Sequence, residues 1–224
     1  MRVTYLGHAS FRIECGERVV FIDPWLNGPT SPLKVDDVER ADIVMVTHDH
    51  GDHGYAEAVE ICKKTGAYFV AINELGLQAQ RAGVENVHTL NIGGSVDIDD
   101  IGVTLVHAFH SCGIGAPTGF IVRLPCGIVY HPGDTGVFSD MALWHRLYKP
   151  DVYFVPIGSY YTQDVTQAVL SVELVKPKVT IPMHYDTFPV ISADPEEFRH
   201  QVNETMKDVR VENMRPGETL ELSF

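Results

Sequence analysis

The sequence predicts an α/β protein: two mixed β-sheets packed together, helices outside, and one domain over residues 1–224. Three observations predict this. Short apolar strand patterns alternate with helical patterns through most of the chain. Strand-rich blocks at residues 1–23 and 95–131 divide it into two comparable halves, with no linker or tandem repeat between them. The run Asp42-Ile43-Val44-Met45-Val46 reads as a buried strand, and it leads straight into Thr47-His48-Asp49-His50-Gly51-Asp52-His53. A polar cluster lying where a strand ends and a helix begins is where α/β folds place their chemistry.

The elements follow in order. Val3 and Tyr5, Phe11 and Ile13, and Val19 and Phe21 mark three short alternating strands, with turns at Gly7-His8 and Gly16-Glu17. Residues 24–36 are rich in Pro, Gly, Asn and Ser and form a loop. After the cluster a helix runs from Tyr55 to Lys64, with Asp52 as its expected cap and Gly66 as its stop. A strand over Tyr68–Ala71 and a helix over Glu74–Arg81 follow. Val87–Leu90, Ser95–Ile98 and Val103–Phe109 are strands, and the glycine-rich loop from His110 to Pro117 comes next. Phe120–Leu124 and Ile128–His131 form a hairpin, and Pro132-Gly133-Asp134-Thr135 is a tight turn. The remaining helices are Met141–Tyr148, Gln163–Lys176 and Pro195–Lys207. Strands at Asp151–Pro156 and Val179–Pro182, and two short ones near Val209 and Leu220, complete the chain.

Composition narrows the function classes. A net charge of −13 disfavours nucleic acid, which needs a basic footprint. No apolar run reaches the roughly 18 to 20 residues of a membrane span. The start, Met1-Arg2-Val3-Thr4-Tyr5-Leu6, is broken too soon by Gly7-His8 to read as a secretory signal, so the expected location is cytoplasmic. Cys15, Cys62, Cys112 and Cys126 show no C-x-x-C spacing, which argues against a zinc knuckle or a disulfide framework and suits free thiols in a reducing compartment. The expected partner is a small-molecule substrate, with homo-oligomerisation left open.

The cluster carries the functional reading. His48 and His50 are two apart, so on an extended segment they point the same way and reach one metal. Asp52 and His53 follow the turn and reach a second metal beside it. With 11 histidines in 224 residues, an H-x-H-x-D-H pattern arises by chance with a frequency of roughly 0.002, which sets aside a merely solvated turn. Imidazole and carboxylate ligands suit zinc first, with manganese, iron or nickel as alternatives.

T-H-x-H-x-D-H after a buried strand resembles the metallo-β-lactamase superfamily. Tyr5-Leu6-Gly7-His8-Ala9-Ser10-Phe11, Ile22-Asp23-Pro24, His131-Pro132-Gly133-Asp134-Thr135 and Ile181-Pro182-Met183-His184-Tyr185 extend the likeness along the chain. They are similar to a branch of uncharacterised metal-dependent hydrolases related to the ascorbate-6-phosphate lactonases. The resemblance implies an αββα sandwich with its site at one edge. It also implies three further ligands: His110 for the first metal, Asp134 bridging both, and His184 completing the second. His107 competes with His110 for its role, but His110 falls where its strand ends and its His-Ser pairing matches the branch.

Two divalent ions and seven ligands (His48, His50, Asp52, His53, His110, Asp134 and His184) imply a hydrolase in which a hydroxide bridging the metals attacks a small ester, lactone or phosphoester. Asp134, with Asp52, carries the catalytic expectation, and no serine or cysteine nucleophile motif is present. His8, Asp23, His131, Tyr160, Tyr161, Tyr185 and Thr187 are expected to support ligands or touch substrate, with Asp23 the candidate that orients a ligand histidine. Two other readings are a phosphodiesterase or ribonuclease of the same fold, and a non-catalytic metal-binding regulator.

Overall fold

Alternating side chains build two seven-stranded sheets. The computed structural model describes residues 1–224. In the first sheet β1 (Arg2–Gly7), β2 (Ser10–Cys15) and β3 (Arg18–Ile22) are antiparallel. Next to β3, β4 (Ile43–Met45), β5 (Tyr68–Ile72) and β6 (Val87–Leu90) continue in parallel. The second sheet repeats this plan: β7 (Ser95–Ile98), β8 (Ile101–His107), β9 (Thr118–Leu124) and β10 (Gly127–His131) are antiparallel. There β11 (Val152–Pro156), β12 (Val179–Met183) and β13 (Arg210–Val211) follow in parallel. The last strand, β14 (Thr219–Glu221), crosses back to pair with β1.

Parallel neighbours need crossovers, and helices supply them. Helices α1 (Tyr55–Thr65) and α2 (Asn73–Arg81) pack on the first sheet. Helices α3 (Met141–Tyr148), α4 (Val165–Val175) and α5 (Pro195–Thr205) form a layer over the second. Strand β11 shows how alternation serves two interfaces. Val152 and Phe154 belong to the core shared with the first sheet, whereas Tyr153 and Val155 belong to the core under α4 and α5. Phe11 and Phe154 stack across the sheet interface with ring centroids 3.8 Å apart. No helix is long and apolar enough to cross a membrane.

Hydrogen bonds lace the two sheets together at one edge, where β1, β4, β10 and β12 end. His184 N–H donates to the His8 carbonyl at 2.7 Å, and Thr118 N–H to the Thr47 carbonyl at 3.1 Å. His131 Nε2 lies 2.8 Å from the Ala9 carbonyl. Each bond ties a segment of one sheet to a segment of the other, so residues just past these strand ends hold fixed relative positions.

Three expectations need correction. Asp52 does not cap α1: it lies in a 3-10 turn, Gly51–His53, and Gly54 occupies the cap position in the left-handed region with φ +67°. A Cβ at Gly54 would lie 2.4 Å from the Pro24 carbonyl carbon and the Trp25 nitrogen, so the loop after β3 passes too close for any other residue. The cysteines are not all free. Cys15, at the end of β2, is joined to Cys126, in the β9–β10 turn, while Cys62 and Cys112 are free. Spacing hid this pair because 111 residues separate its members and only the packing of the sheets brings their Cα atoms to 6.0 Å. Free thiols at these two positions therefore lend nothing to a reducing compartment. Finally, β8 stops at His107, released there from strict alternation, and the imidazole lies on Phe138 at 4.5 Å and near Trp144 at 5.7 Å.

Candidate metal centre

Two groups of potential ligand atoms form at the laced edge. His48, His50, His110 and Asp134 make one; His8, Asp52, His53 and His184 make the other, and the donor atoms within each lie inside 4.8 Å of one another. In the first, His50 Nδ1 sits 3.0 Å from His48 Nε2 and 3.3 Å from His110 Nε2. Three imidazole nitrogens in that space cannot all be satisfied by one another's protons. Asp134 touches both groups. Its Oδ2 is 3.5 Å from His110 Nε2, 4.0 Å from His48 Nε2 and 3.0 Å from His184 Nε2, and its Oδ1 is 3.3 Å from His53 Nε2.

Asp134 reaches this position through the turn after β10. Gly133 adopts φ +64°, and a Cβ there would meet the Thr118 carbonyl at 2.5 Å and the Thr47 Cβ at 2.9 Å. Only glycine allows the turn to lie so close to the end of β4. His131 fixes the turn from beneath: its Nε2–H donates to Ala9 O, and its Nδ1 accepts from Gly133 N–H at 3.2 Å. Burial lowers the pKa of His131, in keeping with this neutral form.

Asp23 orients histidines of both groups. It is fully buried just after β3. Its Oδ1 accepts from Thr47 N–H at 2.7 Å, and its Oδ2 accepts from Thr47 Oγ1–H at 2.7 Å. His53 Nδ1 lies 2.7 Å from the same Oδ2, and His48 Nδ1 lies 3.0 Å from Thr47 Oγ1. A carboxylate can only accept, so His53 presents Nδ1–H to it and leaves the Nε2 lone pair for the site. His48 donates in the same way to the hydroxyl oxygen. One carboxylate thereby sets one tautomer directly and the other through Thr47.

His8 joins the second group more closely than its sequence position implied. It lies in the left-handed region with φ +56° at the β1–β2 turn and is 1% exposed. Its Nε2 is 3.1 Å from Asp52 Oδ2 and its Nδ1 is 2.9 Å from Thr187 Oγ1. Burial pushes the His8 pKa down to about 4 against the opposing pull of Asp52, so at neutral pH it holds Asp52 through one N–H. Both His8 nitrogens have protein partners. By contrast, His53 Nε2, both His184 nitrogens and Asp134 Oδ1 are buried with no hydrogen-bond partner. His53, His184 and Asp134 thus keep atoms free to ligate, whereas His8 uses both nitrogens to position Asp52 and Thr187.

Electrostatics separate the ligands further. Burial, reinforced by His53, lowers the His48 pKa to about 2. Burial also lowers that of His110. For His53 burial opposes protonation, yet the Asp134 and Asp23 carboxylates outweigh it and raise the pKa. Burial disfavours charge on Asp134 as well, but His184 and His53 hold its carboxyl well below the usual range. The centre of the site therefore draws positive charge. Without an ion a proton supplies it, and a divalent cation fits the same ring of nitrogen and oxygen donors.

The remaining expected residues divide. Thr187 reaches His8, as above. Tyr185 is half-buried and packs against the core beneath the helices of the second sheet, with burial pushing its pKa up to about 12. Tyr160 and Tyr161 pack edge to face at 4.8 Å in the exposed loop after β11, and neither bonds to a donor residue. Asp49 accepts from Gly113 N–H at 2.8 Å, which ties the cluster to the glycine-rich loop carrying His110. The orienting role of Thr47 was missed in the sequence. Its signal is the hydroxyl immediately before the first ligand, which becomes legible only once Asp23 is known to lie beside it.

The comparisons agree with this architecture. A model of the β-lactamase superfamily domain matches residues 2–184. A UPF0173 metal-dependent hydrolase from Methanopyrus kandleri is 47% identical over 230 residues, covering 99% of this chain and 100% of the relative. One from Caldivirga maquilingensis is 46% identical over 220 residues, covering 97% and 96%. The solved structure of Igni18, described as a metallo hydrolase from Ignicoccus hospitalis, superposes with a TM-score of 0.93 at 40% identity, covering 100% of this chain and 98% of that one. The sandwich with two donor groups at its edge, carried by a sequence so close to these relatives over its whole length, places the chain in the UPF0173 metal-dependent hydrolase family of the β-lactamase superfamily.

Proposed function

We propose that this metal-dependent hydrolase works with two divalent cations, zinc first among them, and adds water to a small ester, lactone or phosphoester. His48, His50, His110 and Asp134 would hold one cation; Asp52, His53, His184 and Asp134 would hold the other. One observation carries the reading. His53 Nε2 and Asp134 Oδ1 lie 3.3 Å apart, both buried and without other hydrogen-bond partners, while Asp23 holds the Nδ1–H of the same ring. Such a pair is stable only with positive charge between its members, a proton in the metal-free protein or a divalent cation in its place.

When bound, such cations would lower the pKa of a coordinated water to about 7 and polarise the substrate oxygen. The protein's own groups do the positioning. Asp23 and Thr47 keep the tautomers of His48 and His53 correct, and His8 holds Asp52 through one of its oxygens. Asp134 is the group common to both ligand sets, so its carboxylate fixes them relative to each other. The net charge of −13 supports a small-molecule substrate over nucleic acid.

Asp134→Asn tests the reading. Turnover of a responsive ester should fall by about a thousandfold or more. Bound metal per chain should fall too, while far-UV circular dichroism stays that of the wild type. Undiminished hydrolysis by this variant would overturn the assignment.

A further inference from the structure

The surface around the two donor groups is aromatic on both flanks, and the loop that carries His110 lies against two carboxylates, Asp49 and Glu74. On one flank Trp25 and Phe188 enclose His8, with ring centroids 5.4 Å and 5.7 Å from it and 6.0 Å from each other. His8 in turn bonds to Asp52, whose side chain is 26% exposed at the site mouth. Phe188 is 36% exposed. On the other flank Phe109 immediately precedes His110, is 62% exposed and packs on Phe138 at 5.1 Å. Aromatic faces left in water beside buried polar donors offer an apolar group of a substrate a surface to rest on.

No basic side chain is bonded to the donor atoms, and the one beside Trp25, Lys34, bonds to the Leu26 carbonyl at 3.3 Å. None of the 17 Lys and Arg side chains forms a hydrogen bond or ion pair with either donor group or with Asp23, Thr47 or Thr187. Arg2 and Arg12 bind Glu14, Arg18 binds Asp99 and Asp100, Arg123 binds Asp97 and Lys178 binds Asp151. Asp49 lies against Gly113, and the Glu74 carboxylate lies against Gly115, both in the loop that carries His110. Sites built for phosphate or carboxylate groups use Arg or Lys forks to fix them. Here that place is taken by rings and by negative charge.

We infer that the site takes an uncharged carboxylic ester, open or cyclic, whose apolar or aromatic group rests on Trp25 and Phe188, in preference to a phosphoester anion. The inference rests on the hydrolase reading above and narrows its substrate. In the reaction the oxygen of water joins the acyl carbon and the bond from that carbon to the alkoxy oxygen breaks. One water proton goes to the departing alkoxy oxygen, and the other is released as the acid product ionises. The product is then an anion, and the acidic rim that disfavours anionic substrates also favours its departure.

The test compares substrates with one leaving group and one type of reacting carbon. Zinc-supplemented protein is assayed with p-nitrophenyl butyrate, with p-nitrophenyl hexanoate and with the p-nitrophenyl monoester of adipate, which puts a carboxylate at the far end of the hexanoyl chain, too distant to expel the leaving group itself. The neutral hexanoate ester should show a kcat/KM about tenfold higher or more than the adipate monoester, carried by KM. Phe188→Ala should raise KM for the butyrate ester about fivefold or more and change KM for p-nitrophenyl acetate less, because the shorter chain reaches less of the ring. Leu147→Ala, at an exposed position on α3, should alter neither. Equal or better use of the adipate monoester than of the hexanoate ester, or an unchanged KM for the butyrate ester in Phe188→Ala, would overturn the inference. Turnover of bis(p-nitrophenyl) phosphate with no turnover of any carboxylic ester would overturn it and leave the hydrolase reading standing. No turnover of any of these compounds would count against both.

Discussion

Replacing Asp23 with Asn tests whether a single carboxylate organises both ligand sets. The side chain keeps its shape, but one acceptor oxygen becomes a donor NH2 group. If the amide oxygen stays on Thr47 N–H, the NH2 faces Thr47 Oγ1 and His53 Nδ1, each 2.7 Å from that position in the wild type. His53 can then accept only by moving its proton to Nε2, the atom that should ligate. Asp23 is fully buried, so water cannot replace the lost acceptor. Hydrogen bonds to charged groups contribute about 1.5–3 kcal/mol each, and two are disturbed. Loss of a group that orients a metal ligand typically lowers affinity about 10- to 100-fold, or about 1.4–2.8 kcal/mol. The cation beside His53 should therefore weaken by about 100-fold, and the one beside His48, reached only through Thr47, by about tenfold. A zinc titration against a chromophoric chelator resolves the two steps, and melts of the metal-free protein report the cost to folding. Two equivalents bound at wild-type affinity by Asp23→Asn would refute the argument.

Other expectations follow from the same geometry. Gly54→Ala forces a Cβ to within 2.4 Å of the backbone at Pro24 and Trp25 in a left-handed conformation that alone costs about 1–2 kcal/mol. It should lower the melting temperature and loosen metal binding at Asp52 and His53 together, and a normal melt with normal metal content would contradict this. The Cys15–Cys126 link closes a loop of 111 residues, so Cys15→Ser should cost up to about 4–5 kcal/mol by chain entropy. Urea unfolding with and without reductant measures it, and reductant should leave the variant unchanged. His131 is held neutral by burial, with its folded pKa below the unfolded value near 6.5. The unfolded chain therefore binds the extra proton first, and stability falls as pH drops below about 6.5, by at most about 1.4 kcal/mol per pH unit from this residue. His131→Gln lacks that proton site, so its deficit in unfolding free energy relative to the wild type should shrink towards acid pH. A deficit independent of pH would exclude the linkage.

How much of this was legible in the sequence depends on the range of the interaction. The strand and helix pattern, the cluster at residues 48–53 and the chain's division into two halves are local signals. The structure follows them closely, down to helix α3 running over Met141–Tyr148 as expected. Pairings between the halves were not local. No spacing rule could join Cys15 to Cys126, and none could show His8 between Asp52 and Thr187, which lie 44 and 179 residues away. Asp23 lies between these cases. A carboxylate at a strand end beside proline could be a turn former or an orienting group, and only its partner across the strand ends decides between them.

That partner also explains why the centre can be built at an edge where two sheets must agree. Asp23 belongs to the first sheet, as do Thr47, His48 and His53, so its three hydrogen bonds position ligands without reference to the second sheet. His110, Asp134 and His184 come from the second sheet and need a separate reference. The cross-sheet bonds supply it: Thr118 to Thr47, His184 to His8 and His131 to Ala9. Each falls within a few residues of a donor. A substitution that cuts one of these ties should displace the second-sheet ligands as a unit and leave His48 and His53 in place. Thr118→Val makes that test in a milder form: it removes the Oγ1–H bond to the Thr47 carbonyl, 2.9 Å long, leaves the N–H bond to the same oxygen at 3.1 Å, and keeps the side-chain volume. On the proposed two-cation reading, metal affinity should fall on both sides alike, since Asp134 lies within reach of both donor groups, whereas Asp23→Asn should weaken the His53 side more. Identical profiles for the two variants would mean that the sheets do not carry their ligands as separate units.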